Sequence, residues 1–105
     1  MLFEGNPRPK GNAMTVLIEM KDDLDAAAMD TLRPTFETLA MSTDDVELDL
    51  SGVRFIDSSG IGGIVFLYKR LRAAGHNLWL TGVNNQPRRL LEYVGLLGLA
   101  SRPAD

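Results

Sequence analysis

The residues best suited to chemistry lie in one short stretch, FIDSSGIGG, which runs from Phe55 to Gly63. It combines one carboxylate, two adjacent hydroxyl groups and three glycines, and it stands between an apolar run and a segment with helical periodicity. Aspartate and serine at the start of a helix can cap it, bind an anion, act as a nucleophile or accept a phosphate. The rest of the chain has to discriminate among these roles.

A nucleophilic serine needs a G-x-S-x-G turn and a histidine within reach. The chain has I-D-S-S-G instead, and its single histidine, His76, lies beyond the far end of the helix that follows. One histidine also leaves few ways to build a metal site. The chain has no cysteine and hence no thiolate chemistry or disulfides. We therefore predict no catalytic residue, no metal and no cofactor.

Glycines at a helix N-terminus can expose backbone N–H groups to a phosphate. A P-loop, however, requires a lysine directly after its last glycine, and Ile64 follows Gly63 here. The dinucleotide-binding spacing is also absent. A small nucleotide- or anion-binding domain stays open as an alternative interpretation.

The remaining roles are capping and modification. Asp57, Ser58 and Ser59 are all residue types that cap helices, which is a common structural role. A serine at a helix mouth is also accessible to a kinase, and a phosphate there adds about −1.5 to −2 charges that the helix N-terminus tolerates. Such a modification would change binding without breaking the fold. The residues alone favour capping over modification, because caps are common and switches are not.

The length and composition of the chain are typical of a single domain. The chain has 105 residues, of which 45% are hydrophobic, and a net charge of −3. These values allow a modest core and give no basic footprint for a nucleic acid. Apolar runs are too short for a membrane span, and the N-terminus lacks the layout of a signal peptide. The sequence predicts a cytoplasmic protein that binds neither nucleic acid nor membrane.

Periodicity predicts alternating strands and helices. The predicted strands are Thr15–Met20, Val46–Leu50 and His76–Val83. A helix is expected after the cap residue Asp25, although Pro34 predicts either a kink near residues 30–34 or a later start. A second helix is predicted over Ser59–Ala74, with Gly75 after its end, and a third over the segment from Pro87 to Gly95. This order predicts an α/β fold with a mixed central sheet and helices packed against it.

The ends and faces of these elements carry further expectations. Residues 1–14 have the prolines and glycines of turns and linkers, with Met1–Glu4 a candidate for a short edge strand, so we place the domain at residues 15–105. One of Phe66 and Leu67 is expected to face a partner. The predicted buried stripe of the second helix consists of Ile61, Ile64, Val65, Tyr68 and Leu71.

The motif FIDSSGIG resembles the signature of STAS domains, in particular the bacterial anti-sigma factor antagonists. The resemblance extends over about residues 15–99. It includes Leu24-Asp25 after the first predicted strand, the Pro87 helix start and the Val94-Gly95-Leu96 ending. The D-S-S-G-I-G motif in this setting is a specific signal.

The resemblance implies a mechanism and a site. The unphosphorylated protein would bind an anti-sigma factor that is also a serine kinase, and this binding would release a sigma factor. The kinase would phosphorylate the serine directly after the aspartate, which is Ser58 here, and a serine phosphatase would reverse the modification. The protein itself would catalyse nothing. The residues then expected to bind the partner are Asp25, Asp57, Ser59, Gly60, Ile61, Gly62 and Gly63.

Within this family a second output is conceivable. A STAS switch of the same kind can control a signalling enzyme or a secretion regulator instead of a sigma factor, and only its partner distinguishes the two.

Added GTP or ATP should raise the melting temperature if the chain is a nucleotide-binding domain instead.

Overall fold

Four strands form one sheet in the computed structural model, which describes residues 5–10 and 13–101. The strands are β1 Gly5–Lys10, β2 Ala13–Glu19, β3 Asp45–Asp49 and β4 Leu78–Thr81. They lie in the sheet in this same order. β1 pairs antiparallel with β2, whereas β2, β3 and β4 run parallel. The predicted α/β fold with a mixed sheet is confirmed.

Four helices lie in the described chain, and the first two of them connect the parallel strands. The four helices are α1 Ala26–Leu39, α2 Ser58–Ala73, α3 Asn85–Tyr93 and α4 Leu96–Ala100. α1 joins β2 to β3, and α2 joins β3 to β4, as parallel pairing requires. The short helix α4 was not predicted from the sequence. Because consecutive strands are parallel neighbours, both connections begin at the same edge of the sheet, where the strands end.

The core lies between one face of the sheet and the helices. Val46, Leu48 and Leu50 alternate along β3 and just beyond it, and all three are buried, as the sequence predicted. Ile18 and Leu80 are buried on the neighbouring strands, with 2% and 4% of their surface exposed. Burying side chains of this size stabilises the fold by roughly 1.5–3 kcal/mol each.

The buried stripe of α2 differs from the predicted one. Its buried members are Gly60, Ile64, Leu67 and Leu71. Three residues expected in the stripe are only half-buried, namely Ile61, Val65 and Tyr68. Gly60 lies in the first turn of α2 and lets the helix approach the sheet closely on the side where this glycine lies. That close contact determines which side of the helix is buried. Leu67 therefore belongs to the core, while Phe66 is half-buried.

Helix α1 tolerates its proline. The alternative prediction of a later start is wrong, because α1 begins directly after its cap residue Asp25. The helix continues through Pro34 to Leu39, and the predicted kink near residues 30–34 stays a prediction. Pro34 cannot donate to the carbonyl of Asp30. Both residues are exposed, so water can satisfy that carbonyl.

The N-terminal stretch contains a strand where turns and linker structure were predicted. β1 spans Gly5–Lys10 and pairs with β2 over its whole length, from Gly5 opposite Ile18 to Lys10 opposite Ala13. Prolines are compatible with an edge strand because their missing N–H groups are not needed on the open side. Pro7 and Pro9 are two residues apart and so occupy equivalent positions in the alternation. The candidate edge strand Met1–Glu4 lies outside the described residues.

Candidate functional site

The segment before α2 is held like a strand. Ile56 forms an isolated parallel bridge with Leu24. The Leu24 N–H donates to the Phe55 carbonyl at 2.9 Å, and the Asp57 N–H donates to the Leu24 carbonyl at 3.2 Å. Both segments lie beyond the carboxyl ends of parallel strands, which is where binding sites of α/β sheets form. The chain thus enters α2 from a fixed position.

Asp57 caps α2 and also reaches α1. Its Oδ1 accepts hydrogen bonds from the N–H groups of Ser59 and Gly60, at 2.8 and 3.1 Å. Its Oδ2 accepts from the N–H of Ala26, the first residue of α1, at 3.2 Å. One carboxylate therefore satisfies orphan donors of two helices, whose positive dipole ends both favour it.

The cap of α1 is Asp25, as predicted. Its Oδ1 accepts from the N–H of Ala28 at 2.9 Å, and its backbone is extended, which is typical of an N-cap. The side chain is half-buried. The N-termini of α1 and α2 are consequently each closed by a carboxylate.

Ser58 is the first residue of α2, one position earlier in the helix than expected. Of the three candidate caps, Asp57 performs the capping. Ser58 and Ser59 are both exposed, and neither hydroxyl makes a hydrogen bond within the part of the chain that the structure describes. Two unused hydroxyls therefore stand at the mouth of a helix that does not need them for its stability.

The capped N-termini argue against an anion site. The N–H groups of Ala26, Ala28, Ser59 and Gly60 already donate to aspartate oxygens. A bound phosphate would have to compete with both carboxylates for these donors and would meet their negative charge. The nucleotide- or anion-binding alternative thus loses the feature that suggested it.

The glycines of the motif have different surroundings. A Cβ on Gly60 would lie 2.8 Å from the Cβ of Leu24 and 2.9 Å from Cγ2 of Ile56. Gly60 is buried and allows α2 to pack on the Leu24–Ile56 bridge. The close approach to its backbone is made by Leu24 of the same chain, and its role as a partner contact stays a prediction.

Gly62 and Gly63 have surroundings different from those of Gly60. A Cβ on Gly63 would collide with the methyl group of Met29 and lie 3.3 Å from the Phe36 ring, so this glycine serves the packing of α2 on α1. Gly62 is exposed, and no heavy atom lies within 4 Å of the position that its Cβ would take. The packing of the chain therefore gives no reason for a glycine at position 62.

An open groove of about 420 Å³ runs between α1 and α2 from this point. Ser59 and Gly62 lie on the side of α2, and Phe66 lies farther along that helix. Asp30 and Arg33 of α1 line the other side, with 3.6 Å between the guanidinium and the carboxylate. The remaining lining residues are Ala26, Met29, Phe36, Glu37 and Gly63. The groove thus pairs apolar surface with charges of both signs, next to the two serines.

His76 is remote from the serines. It follows α2, a helix of 16 residues that is about 24 Å long at 1.5 Å per residue. Its Nδ1 lies 3.9 Å from Oδ1 of Asp45, at the opposite edge of the sheet. Within residues 5–10 and 13–101, no group of three or more potential metal ligands is found. His76 therefore cannot act as a base for Ser58.

One contact to this segment was missed by sequence analysis. The side-chain amide of Gln86, in the first turn of α3, bonds both the N–H and the carbonyl of Ile56, each at 2.9 Å. The two residues are 30 positions apart, and no local pattern predicts their pairing.

The sequence of this chain is similar to the sequences of known proteins. The STAS domain family model matches residues 6–101. An anti-sigma-B factor antagonist of Staphylococcus epidermidis is 37% identical over 57 residues, which are 54% of this chain and 53% of that protein. An anti-sigma-B factor antagonist of Bacillus subtilis is 26% identical over 87 residues, covering 83% of this chain and 80% of that protein. The match to the first of these relatives thus spans about half of its length.

Solved structures share the fold. The unphosphorylated anti-sigma factor antagonist SpoIIAA superposes with a TM-score of 0.70 at 19% identity, over 91% of this chain and 84% of that protein. The murine anion transporter Slc26a9 contains a region with the same TM-score of 0.70 at 21% identity, covering 93% of this chain and 17% of the transporter. The fold alone therefore does not select a function.

The resemblance seen in the motif is confirmed by a family model that covers nearly the whole chain. Within the described residues, no helix combines the length and the apolar character needed to cross a bilayer. The Leu24–Ile56 bridge, the Asp57 cap and the exposed Ser58 lie at one edge of the sheet, whose strand order is β1-β2-β3-β4. This chain belongs to the STAS domain family.

Proposed function

We propose that this protein is an anti-sigma factor antagonist controlled by phosphorylation of Ser58. In the unphosphorylated state it binds an anti-sigma factor that has serine kinase activity, in the cytoplasm, and thereby releases a sigma factor. Phosphorylation of Ser58 by that kinase ends the interaction, and a serine phosphatase restores it. The protein acts as a binding module and not as an enzyme. The names of the Staphylococcus and Bacillus relatives support this assignment.

The observation that carries the proposal is the division of labour between two neighbours. Asp57 performs the capping of α2, and Ser58 is left exposed with its hydroxyl unused. A phosphate on Ser58 would therefore remove no hydrogen bond of the fold. Ser58 is exposed, so water solvates the added charge and the modified protein stays folded.

Charge explains why the modified protein leaves its partner. A partner seated on this helix mouth would have to desolvate the phosphate, and a buried charge without a counter-charge is costly. The Asp57 carboxylate next to it adds repulsion within the same surface. Phosphorylation is thus expected to weaken the complex while leaving the fold intact.

The contact surface that we propose surrounds Ser58. It includes Asp25 and Asp57 at the helix N-termini, and Ser59 and Ile61 in the first turns of α2. Gly62 offers the most specific support, since no atom of the described chain lies within 4 Å of the position that its Cβ would take, and this space is open to a partner. Gly63 borders the same groove, so its backbone completes this surface.

A phosphorylation experiment tests the proposal directly. The protein is incubated with ATP and the anti-sigma factor kinase of the source organism, and the modified residue is mapped by mass spectrometry. We expect one phosphate on Ser58, its loss in Ser58→Ala and its retention in Ser59→Ala. The two variants are matched, because both serines are exposed and neither hydroxyl bonds within the described chain. Retention in Ser58→Ala with loss in Ser59→Ala would move the site by one residue.

The output is tested separately. A STAS switch that acts on a signalling enzyme or a secretion regulator would show the same modification. Capture of partners from the native organism with the Ser58→Ala protein distinguishes the outputs. Recovery of an anti-sigma factor supports the proposal, whereas recovery of a different regulatory protein without any anti-sigma factor contradicts it.

A further inference from the structure

The segment around Ile56, the residue before Asp57, is hydrogen-bonded on both of its sides. On one edge, Leu24 pairs with the segment through its N–H and its carbonyl, which contact Phe55 and Asp57. On the other edge, no strand of the sheet pairs with Ile56. Its N–H and carbonyl point instead to a side chain from α3, 30 positions later in the chain.

That side chain is the amide of Gln86. Its Oε1 accepts from the Ile56 N–H at 2.9 Å, and its Nε2 donates to the Ile56 carbonyl at 2.9 Å. A primary amide with one donor and one acceptor reproduces the pair of bonds that a neighbouring strand would make. Gln86 thus takes the place of a neighbouring strand one residue before the cap of α2.

The start of α3 is shaped around this contact. Asn85 has a φ of 56°, and within the described chain it is the one non-glycine residue with a positive φ. Asparagine tolerates this conformation better than most residues. The preceding Asn84 makes no side-chain cap to α3 and instead donates from Nδ2 to the Gly82 carbonyl at 3.1 Å. The helix therefore begins with an unusual backbone turn directly before Gln86.

We propose that Gln86 is a positioning residue for the phosphoacceptor segment. Its two bonds immobilise Ile56, and through the next residue they hold Asp57 where its carboxylate reaches α1 and α2. Ser58 is then presented in one orientation. This inference rests on the proposed function for its kinase step, whereas the positioning itself is a property of the isolated chain.

Loss of the amide should loosen the segment without unfolding the protein. In Gln86→Ala, the Leu24 bridge remains but one edge of Ile56 is released to water. The segment then populates orientations that the kinase does not recognise. When only a fraction of the molecules is competent, the apparent affinity falls by that fraction while the rate at saturation is retained. We expect KM for this protein to rise and kcat to stay unchanged.

Amide hydrogen exchange measures the positioning without any partner. The informative group is the Ser59 N–H, which donates to Asp57 and does not contact Gln86. In Gln86→Ala, we expect exchange at both Ile56 and Ser59 to accelerate by roughly tenfold, as the loss of a net hydrogen bond allows. Faster exchange at Ile56 with unchanged exchange at Ser59 would show a purely local bond and overturn the inference.

Ser42→Ala is the matched control. The Ser42 hydroxyl also makes two hydrogen bonds, accepting from the N–H and donating to the carbonyl of Asp44, both at 3.0 Å. It lies between α1 and β3, at the opposite edge of the sheet. This variant should lose comparable stability while exchange at Ile56 and Ser59 stays as in the unmodified protein. Equal acceleration in both variants would attribute the effect to global destabilisation and overturn the inference.

Kinetics with the anti-sigma factor kinase complete the test. We expect KM for Gln86→Ala to be roughly five- to tenfold above that of the unmodified protein, with kcat retained, and no change for Ser42→Ala. Unchanged KM in Gln86→Ala overturns the positioning role. If the kinase fails to modify the unmodified protein, the proposed function is wrong, and hydrogen exchange alone then decides the role of Gln86.

Discussion

Asp57 and Ala26 are 31 positions apart in the chain, yet Oδ2 of Asp57 accepts a hydrogen bond from the Ala26 N–H at 3.2 Å. The other oxygen of the same carboxylate caps α2. The residue next to the proposed phosphoacceptor therefore joins the two helices that border the groove. A change at this carboxylate should be felt by both of them.

Replacing Asp57 with alanine should cost more stability than replacing Asp25. An N-cap contributes about 0.5–2 kcal/mol. Asp25 caps one helix, whereas Asp57 caps α2 and also bonds α1. We expect Asp57→Ala to lower the free energy of unfolding by about 2 kcal/mol and Asp25→Ala by about 1 kcal/mol. Urea denaturation measures both, and an equal loss would show that the bond to α1 contributes nothing.

Gly60→Ala and Gly62→Ala should have opposite effects on stability. The new methyl group at position 60 would press on Leu24 and Ile56, which should destabilise the protein by about 1–3 kcal/mol. At position 62 the space is open, and alanine is the better helix former by about 0.5–1 kcal/mol. Thermal unfolding should show a lower Tm for the first variant and a higher Tm for the second.

Gly62→Ala should nevertheless bind the anti-sigma factor less tightly. If the missing side chain serves a partner, the added methyl group meets that partner and the complex weakens although the free protein is more stable. Titration calorimetry separates the two effects. A stabilised variant with unchanged affinity would mean that Gly62 lies outside the contact surface.

Phe66 and Leu67 are neighbours with different roles. Leu67 is fully buried, and Leu67→Ala should lower the free energy of unfolding by about 2–5 kcal/mol. Phe66 is half-buried, lines the groove and stacks under the Arg70 guanidinium at 5.0 Å. Phe66→Ala should cost only about 1 kcal/mol but reduce partner affinity. Unchanged affinity of the folded Phe66→Ala protein would exclude Phe66 from the interface.

Local sequence signals predicted the starts and ends of the helices well. The end of α2 shows why, since Gly75 has a φ of 84° and its N–H bonds the Arg72 carbonyl, while the His76 N–H bonds the Leu71 carbonyl. This Schellman pattern depends on one glycine and its immediate neighbours. Asp25 was likewise recognised as a cap because its role is confined to the next three residues.

Features that depend on distant contacts were not predictable in the same way. The buried side of α2 is set by the fit of Gly60 on Leu24, which periodicity alone does not contain. The β1 strand was obscured by its prolines, whose turn preference is overridden by pairing with β2. The bonds between Gln86 and Ile56 join segments 30 residues apart and have no local signature.

The central claim is that phosphate on Ser58 releases the partner. Displacing a partner from nearly complete to nearly absent binding requires about 5.5 kcal/mol of differential affinity. Desolvation of a doubly charged group next to Asp57 can approach that order, whereas a single carboxylate in Ser58→Asp supplies part of it. The variant should therefore be an incomplete mimic, and Ser58→Ala should bind like the unmodified protein.

Titration calorimetry against the anti-sigma factor kinase tests this claim most directly. Four forms of the protein are compared, namely unmodified, Ser58→Ala, Ser58→Asp and phosphorylated on Ser58. We predict equal and tightest binding for the first two, weaker binding for Ser58→Asp and the weakest binding for the phosphoprotein. Tighter binding by the phosphoprotein than by the unmodified protein would identify the phosphate as a docking group and contradict the account.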